Sequence, residues 1–334
     1  MLRDLRYLFA YTLPLSALLA LLWQGSWSFA TVVYAFGVIP VLDMVIPQAR
    51  SNEDGEHTGD RVLVRQFFDF LLYLNVPIFY GLLGLLFVFA SSQSLATYEL
   101  VGLVFSIGII AGSLGINVAH ELGHRTSRGE QVLAQALLLP CLYLHFFIEH
   151  NRGHHKHVAT PHDPATSRFG ESLYVFWVRS VFGSYVSAWR IDRAMMVRFT
   201  LLQGLYLGVV TWFFGAQGLT LALGVAVVGI LLLESVNYIE HYGLLRKRLP
   251  NGRYEPVTPR HSWNSEHEVG RIVLYELTRH ADHHYKSTRP YQELRYLEES
   301  PELPMGYPGS ILMALVPPLW FGVMNPRTQQ HQLA

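Results

Sequence analysis

Charge is what this chain has least of. Of its 334 residues only 15% are charged and 51% are hydrophobic, giving a mean hydropathy of +0.23. A soluble domain of this length needs more charge to cover its surface, so a membrane protein is the first class to test. The 25 basic and 25 acidic residues cancel, which leaves no electrostatic case for nucleic acid. Cysteine is nearly missing. Cys141 stands alone, which excludes a disulfide framework and any cysteine-ligated iron–sulfur or rubredoxin-type centre. Redox chemistry here would draw its electrons from another protein. Cys141 itself, in the apolar run Leu137–Phe147, reads as a small buried hydrophobe.

Long apolar stretches and histidine are what the chain has in excess. Runs long enough to cross a bilayer are expected at about 7–23, 27–46, 67–90, 98–119, 199–214 and 218–238. They pair into three hairpins turning at Gly25–Ser26, Ser91–Thr97 and Ala216–Gln217. The first run resembles a signal peptide, but the small-residue site Ser28–Ala30 lies inside the next run, so a retained helix is expected. All 25 lysines and arginines fall in the N-terminus, 47–66, 120–198 and 239–334; the hairpin turns have none. The positive-inside rule then puts both termini and the segments 120–198 and 239–334 in the cytoplasm. The fold class is an all-α integral membrane protein of six transmembrane helices with a cytoplasmic histidine-rich helical catalytic region, one functional unit over 1–334. The apolar run 131–148 reads as a packed or interfacial helix, because a crossing there would put neighbouring histidine clusters on opposite sides. Leu173–Trp189 and Ile311–Met324 read as helices lying on the membrane. Segment 47–66 reads as a polar linker. Asp43, Asp69, Asn117, Glu234 and Asn237 are costly in lipid and should face the bundle interior, with Asp43 and Asp69 near its boundary.

Nine of the sixteen histidines stand in four groups. His120 and His124 are four apart at the end of the fourth span, so they share a helix face and can chelate one metal. His150 and His154 repeat that spacing. His155, turned by about 100° from His154, points to a second metal or another side of the same one. His280, His283 and His284 share one face, and His241 ends the sixth span. The His120-Glu121-Leu-Gly-His124 string alone equally suits a zinc protease with Glu121 as base. As a set, nine imidazoles exceed the four to six positions of one first-row ion, so two metals are the economical reading, and imidazole leaves Zn, Cu, Fe and Ni open. Glu121, Glu149, Asp163, Glu240 and Asp282 lie beside these groups, where carboxylates fix histidine tautomers and offset metal charge. His57, His145, His157, His162, His261, His267 and His331 fall outside the repeated spacing and read as ordinary histidines.

At these residues the chain resembles the membrane-bound alkane hydroxylase (alkane 1-monooxygenase) family. Glu149-His-Asn-Arg-Gly-His-His-Lys-His-Val-Ala-Thr-Pro-His-Asp-Pro-Ala-Thr-Ser167 is similar to its second histidine motif almost throughout. His120–His124, Asn237–Gly243, and Leu277–His284 followed by Arg289–Arg295 resemble the others. The resemblance implies two iron ions held by the nine histidines, O2 as co-substrate, and terminal hydroxylation of medium- or long-chain n-alkanes. It also implies rubredoxin with rubredoxin reductase as electron source, and residence in the bacterial inner membrane with the site cytoplasmic. The exposed-looking Arg246-Lys-Arg248 run is a candidate dock for an acidic carrier. Asp43–Arg50 departs from the family's Gly- and Asn-containing turn, near the supposed substrate channel. The alternatives are a membrane di-iron fatty-acyl hydroxylase or desaturase, a zinc protease, and a metal carrier.

Overall fold

The structure, a computed structural model, describes residues 3–52 and 61–333. Most of the linker between Asn52 and Arg61, with His57, lies outside the described residues. Among the described residues there is no β-strand, only the isolated bridges Arg248–Tyr254 and Asn264–Glu302. Helices carry the chain because apolar backbone in lipid must satisfy its own hydrogen bonds.

Four apolar helices come first: α1 (Asp4–Trp23), α2 (Gly25–Val45), α3 (Val62–Ser92) and α4 (Thr97–Gly123). Short helices α5 (Arg128–Leu138) and α6 (His145–Glu149) follow, then α7 (Leu173–Ile191) and the long α8 (Arg193–His241). The C-terminal part holds α9 (Glu268–Val273), α10 (His280–Tyr285), α11 (Tyr307–Ala314) and α12 (Pro317–Leu333).

Helix α8 contains the last hairpin. Gly215 sits at φ 63, ψ −161, outside helical space. A Cβ on Gly218 would lie 3.4 Å from Val210 Cγ1, whereas eight residues of straight helix span about 12 Å. The chain therefore reverses at Gly215, and α8 supplies two antiparallel limbs, making six apolar limbs with α1–α4. The turn falls one residue before the expected Ala216–Gln217 because only glycine takes that conformation without strain. At the other end, α11 and α12 are bent by 118° at their break, where Pro317 and Pro318 cannot continue a helix.

The expected helix over 131–148 is not continuous. Helix α5 stops at Leu138, Pro140 supplies no backbone donor, and Leu142 takes φ 52 before α6 begins. The apolar residues of this stretch are buried all the same, among them Leu137, Cys141, Tyr143 and Ile148. Helix α7 buries Phe176, Ser180, Ser184 and Ala188 and turns Val175, Val178 and Phe182 outward.

Helix α4 is the centre of the bundle and the most buried span. Gly108 and Gly112 let the second limb of α8 approach its backbone: a Cβ on Gly108 would lie 2.4 Å from Val228 Cβ. The polar residues of the spans face inward. Asp43 accepts from Gly270 N–H (3.1 Å), Asn117 donates to Leu274 O (2.8 Å), and Tyr143 donates to Glu234 Oε1 (2.6 Å). Asp69 lies 3.5 Å from Arg125 at the bundle's edge.

Candidate metal centre

Three segments in these described helices are wound as π-helix, one of which carries histidines of the site. They are Tyr34–Val38 in α2, Ala111–Ile116 in α4 and His150–His154 after α6. A π-turn adds a residue to the helical circuit and re-aims the side chains that follow, which is why it recurs at functional sites.

The nine histidines divide into two compact groups. His120, His124, His150, His155 and His283 form one; His154, His241, His280 and His284 form the other. Within each group the ligand-capable atoms lie within 4.8 Å of one another. The division differs from helical spacing in two places. His150 pairs with His155 rather than His154, because the π-turn makes i and i+5 neighbours where an α-helix would align i and i+4. The 280–284 cluster does not serve one group either. His280 and His284 stay together while His283 crosses to the five-histidine group, so α10 bridges both.

The contacts inside the groups join Nε2 to Nε2. In the first group they run His124–His150 (3.1 Å), His150–His155 (3.0 Å), His155–His283 (3.1 Å) and His283–His120 (2.9 Å). In the second they run His154–His284 (3.2 Å), His284–His280 (2.9 Å) and His280–His241 (3.1 Å). A neutral imidazole nitrogen is either a donor or an acceptor, so His283 Nε2 cannot both give and accept in such a chain. Lone pairs converging on a shared cation account for the geometry directly. Imidazole donors in such numbers suit a borderline first-row ion, which leaves Fe, Cu, Ni and Zn open on geometry alone.

Protonation agrees with ligation. Burial and then neighbouring imidazoles push His150, His155, His280, His283 and His284 well below the ordinary histidine value, leaving them neutral at pH 7. His154 goes the other way: burial would lower it, but the Asp163 carboxylate outweighs that. Asp163 Oδ2 meets His154 Nδ1 at 2.9 Å and accepts from Thr166 Oγ1 at 2.6 Å. A proton held on Nδ1 leaves Nε2 bare for a cation.

The other four carboxylates sit differently. Glu240 Oε2 lies 3.2 Å from Nε2 of His280, on the inner rather than the outer nitrogen. Glu121, Glu149 and Asp282 hydrogen-bond no histidine among the described residues. Glu121 takes Arg125 at 2.7 Å and Tyr291 N–H, so it is not free to serve a protease as base. Glu149 accepts from Ser187. Asp282 is clamped by Arg289 and Arg295 and fixes the 289–295 loop. Of the remaining histidines, His145 is buried against Tyr143 and Tyr185, His261 meets Glu255, His267 meets Ser265 and Gln48, and His331 meets Arg260 O. His157 and His162 face each other edge to face, with ring centroids 6.1 Å apart. Arg246 spends its guanidinium on the carbonyls of Glu255, Lys156 and Val158, which leaves Lys247 and Arg248 exposed.

Sequence reasoning missed the frame beneath α10. Arg271 pairs with Glu276 (2.8 Å) and Arg279 with Glu266 (3.1 Å), all four buried. Arg279 also donates to the carbonyls of Ala49, Ser51 and Leu294. Burial would raise Glu276, but Arg271 and Arg279 hold it below the usual carboxylate range. Tyr275 and Glu276 both take left-handed backbone, at φ 52 and φ 59. Strain at two successive residues persists only where packing over-determines it. The signal was the alternation Glu266, Arg271, Glu276, Arg279 around the apolar residues Ile272–Tyr275.

An apolar cavity lies within the bundle, near the segments that carry the histidine groups. It is bounded by Leu13, Phe36, Ile109, Leu232 and Val236, and it reaches Asn117 and Leu277, each three residues before a histidine of the site. The polar side chains of its wall are Ser113, Asn117 and Tyr307, and each hydroxyl or amide donates elsewhere, to Ile109 O, Leu274 O and Glu240 Oε1.

Comparison with known proteins agrees with this construction. Residues 96–311 match the family described as fatty acid desaturase. The chain is 38% identical over 321 residues to alkane 1-monooxygenase 1 of Pseudomonas aeruginosa, covering 91% of this chain and 84% of that protein. It is 40% identical to the alkane 1-monooxygenase of Pseudomonas putida, covering 87% and 76%. A more distant relative, at 27% identity, is the xylene/toluene monooxygenase hydroxylase component of Pseudomonas putida. The histidine motifs, the all-helical membrane architecture and these matches together show that the chain belongs to the alkane 1-monooxygenase family.

Proposed function

We propose that this protein is a di-iron alkane hydroxylase. It converts the terminal methyl group of a medium- or long-chain n-alkane to a primary alcohol, with O2 as oxidant and rubredoxin, recharged by its reductase, as electron donor. One oxygen atom enters the product, and the other leaves as water after two electrons and two protons are taken up. The observation that carries this reading is the 5 + 4 division of the nine histidines, beside an apolar cavity whose wall includes Asn117 and Leu277. Iron in the two groups supplies O2 reduction and oxidation of the C–H bond.

The chain's own residues do the rest. Asp163 holds the His154 ring by its outer nitrogen. The cavity wall excludes water and presents hydrocarbon with nothing polar to bind. That wall also separates the alkane reading from the fatty-acyl alternative suggested by the desaturase match. An acyl group needs a polar anchor for its head, and every polar side chain of the described wall is committed elsewhere. Lys247 and Arg248, exposed beside the site's outer face, suit an acidic electron carrier.

Iron-loaded protein supplied with NADH, rubredoxin reductase, rubredoxin and a series of n-alkanes under 18O2 should yield labelled 1-alkanols. Turnover of acyl chains without alkane hydroxylation would move the assignment to the fatty-acyl class. No oxygen-dependent product from either would overturn it.

A further inference from the structure

The two histidine groups are unequal, five donors against four, and one carboxylate, Glu240, touches the smaller group at a single ring, His280. Glu240 ends α8 beside His241. Its Oε2 lies 3.2 Å from Nε2 of His280, and its Oε1 accepts from the Tyr307 hydroxyl at 2.8 Å. The side chain is 1% exposed. Among the described residues it pairs with no arginine or lysine, unlike Glu121 and Asp282, which meet Arg125 and Arg289 with Arg295. A buried carboxylate whose contacts are one neutral hydroxyl and one imidazole is left without a countercharge.

The imidazole contact sharpens the point. His280 Nε2 also meets Nε2 of His241 and His284, so its lone pair is turned into the group. Nitrogen and carboxylate oxygen at this distance need either a proton or a metal ion between them, and the metal reading is the one the four converging imidazoles favour. The outer nitrogen, His280 Nδ1, is buried with no hydrogen-bond partner among the described residues, so the tautomer is set only by what lies on the inner side. Nor does Glu240 act as Asp163 does, since Asp163 grips an outer nitrogen.

We propose that Glu240 Oε2 is the fifth donor of the ion held by His154, His241, His280 and His284. The centre is then asymmetric, with one iron bound by five imidazoles and the other by four imidazoles and a carboxylate. The anion offsets part of the buried charge of two divalent ions. Tyr307, which also borders the cavity, orients Glu240 through its other oxygen and so joins the substrate side of the wall to that ion.

The inference rests on the di-iron reading, and the experiment separates the two. Wild-type protein loaded with ferrous 57Fe should hold two irons and give two Mössbauer doublets of equal area. Glu240→Gln keeps the shape and the Tyr307 contact; it should shift one doublet only and weaken retention of one iron under chelator by at least ~10-fold. Glu240→Ala should do the same more strongly. If Glu240→Ala does not accumulate, Glu240→Gln carries the test alone. Two irons with both doublets unchanged in Glu240→Gln would overturn the Glu240 assignment and leave the di-iron reading intact. Wild-type protein that holds fewer than two irons would overturn the di-iron reading and this assignment with it.

Discussion

Among single residues, the histidines separate by what surrounds each ring rather than by their count. His145 stands outside the chelating spacing; its ring packs against Tyr143 and Tyr185, and its Nε2 has no hydrogen-bond partner among the described residues. Burial lowers it from 6.5 to about 3. The folded state therefore keeps it neutral while an unfolded chain protonates it below 6.5. Its stabilising share is intact above that pH and is lost as pH falls from 6.5 toward 3, amounting to about 2 kcal/mol at pH 5. His145→Phe should shrink the fall in melting temperature between pH 7 and pH 5, measured in detergent. An unchanged pH dependence would refute the account. The lack of a histidine at i±3 or i±4 already sets His145 apart from the chelating groups; that its ring is buried rather than solvated is decided by packing.

Helices and their breaks show where local pattern was enough and where it failed. The spans were legible because twenty apolar residues in a row have few other fates, and the bare hairpin turns marked their ends. The π-turn at His150–His154 was not legible. Regular α-helical spacing predicts a His150–His154 pair, and the extra residue exchanges His154 for His155. The frame under α10 was hidden for a different reason. Arg279 and Glu266 are thirteen residues apart and meet only after the chain takes left-handed turns at Tyr275 and Glu276. Removing one partner leaves a buried charge uncompensated, so Arg279→Ala should cost about 3–5 kcal/mol. Thermal unfolding of the variant checks this, and a loss below about 1 kcal/mol would show that the pair is not structural.

Across the whole molecule, the basic residues and the histidine groups lie on one side of the apolar limbs, and this sidedness has a direct test. Cys141 is buried and will not react with an impermeant maleimide, so single cysteines can be added without replacing it. Gln217→Cys, in the turn after Gly215, should label in intact cells; Asn251→Cys, near the exposed Lys247 and Arg248, should label only after the membrane is opened. The reverse pattern would invert the proposed orientation. The sequence by itself determined the membrane class, the apolar spans and the nine histidines, because each is written in runs or spacings within a few turns of helix. Tertiary structure decided which histidines share a group, which carboxylate faces an inner nitrogen, and where the cavity lies. Those relations join residues more than a hundred positions apart, such as His120 with His283 and His154 with His284. Only packing of α4, α6, α8 and α10 against one another brings their ring nitrogens within reach of a common ion.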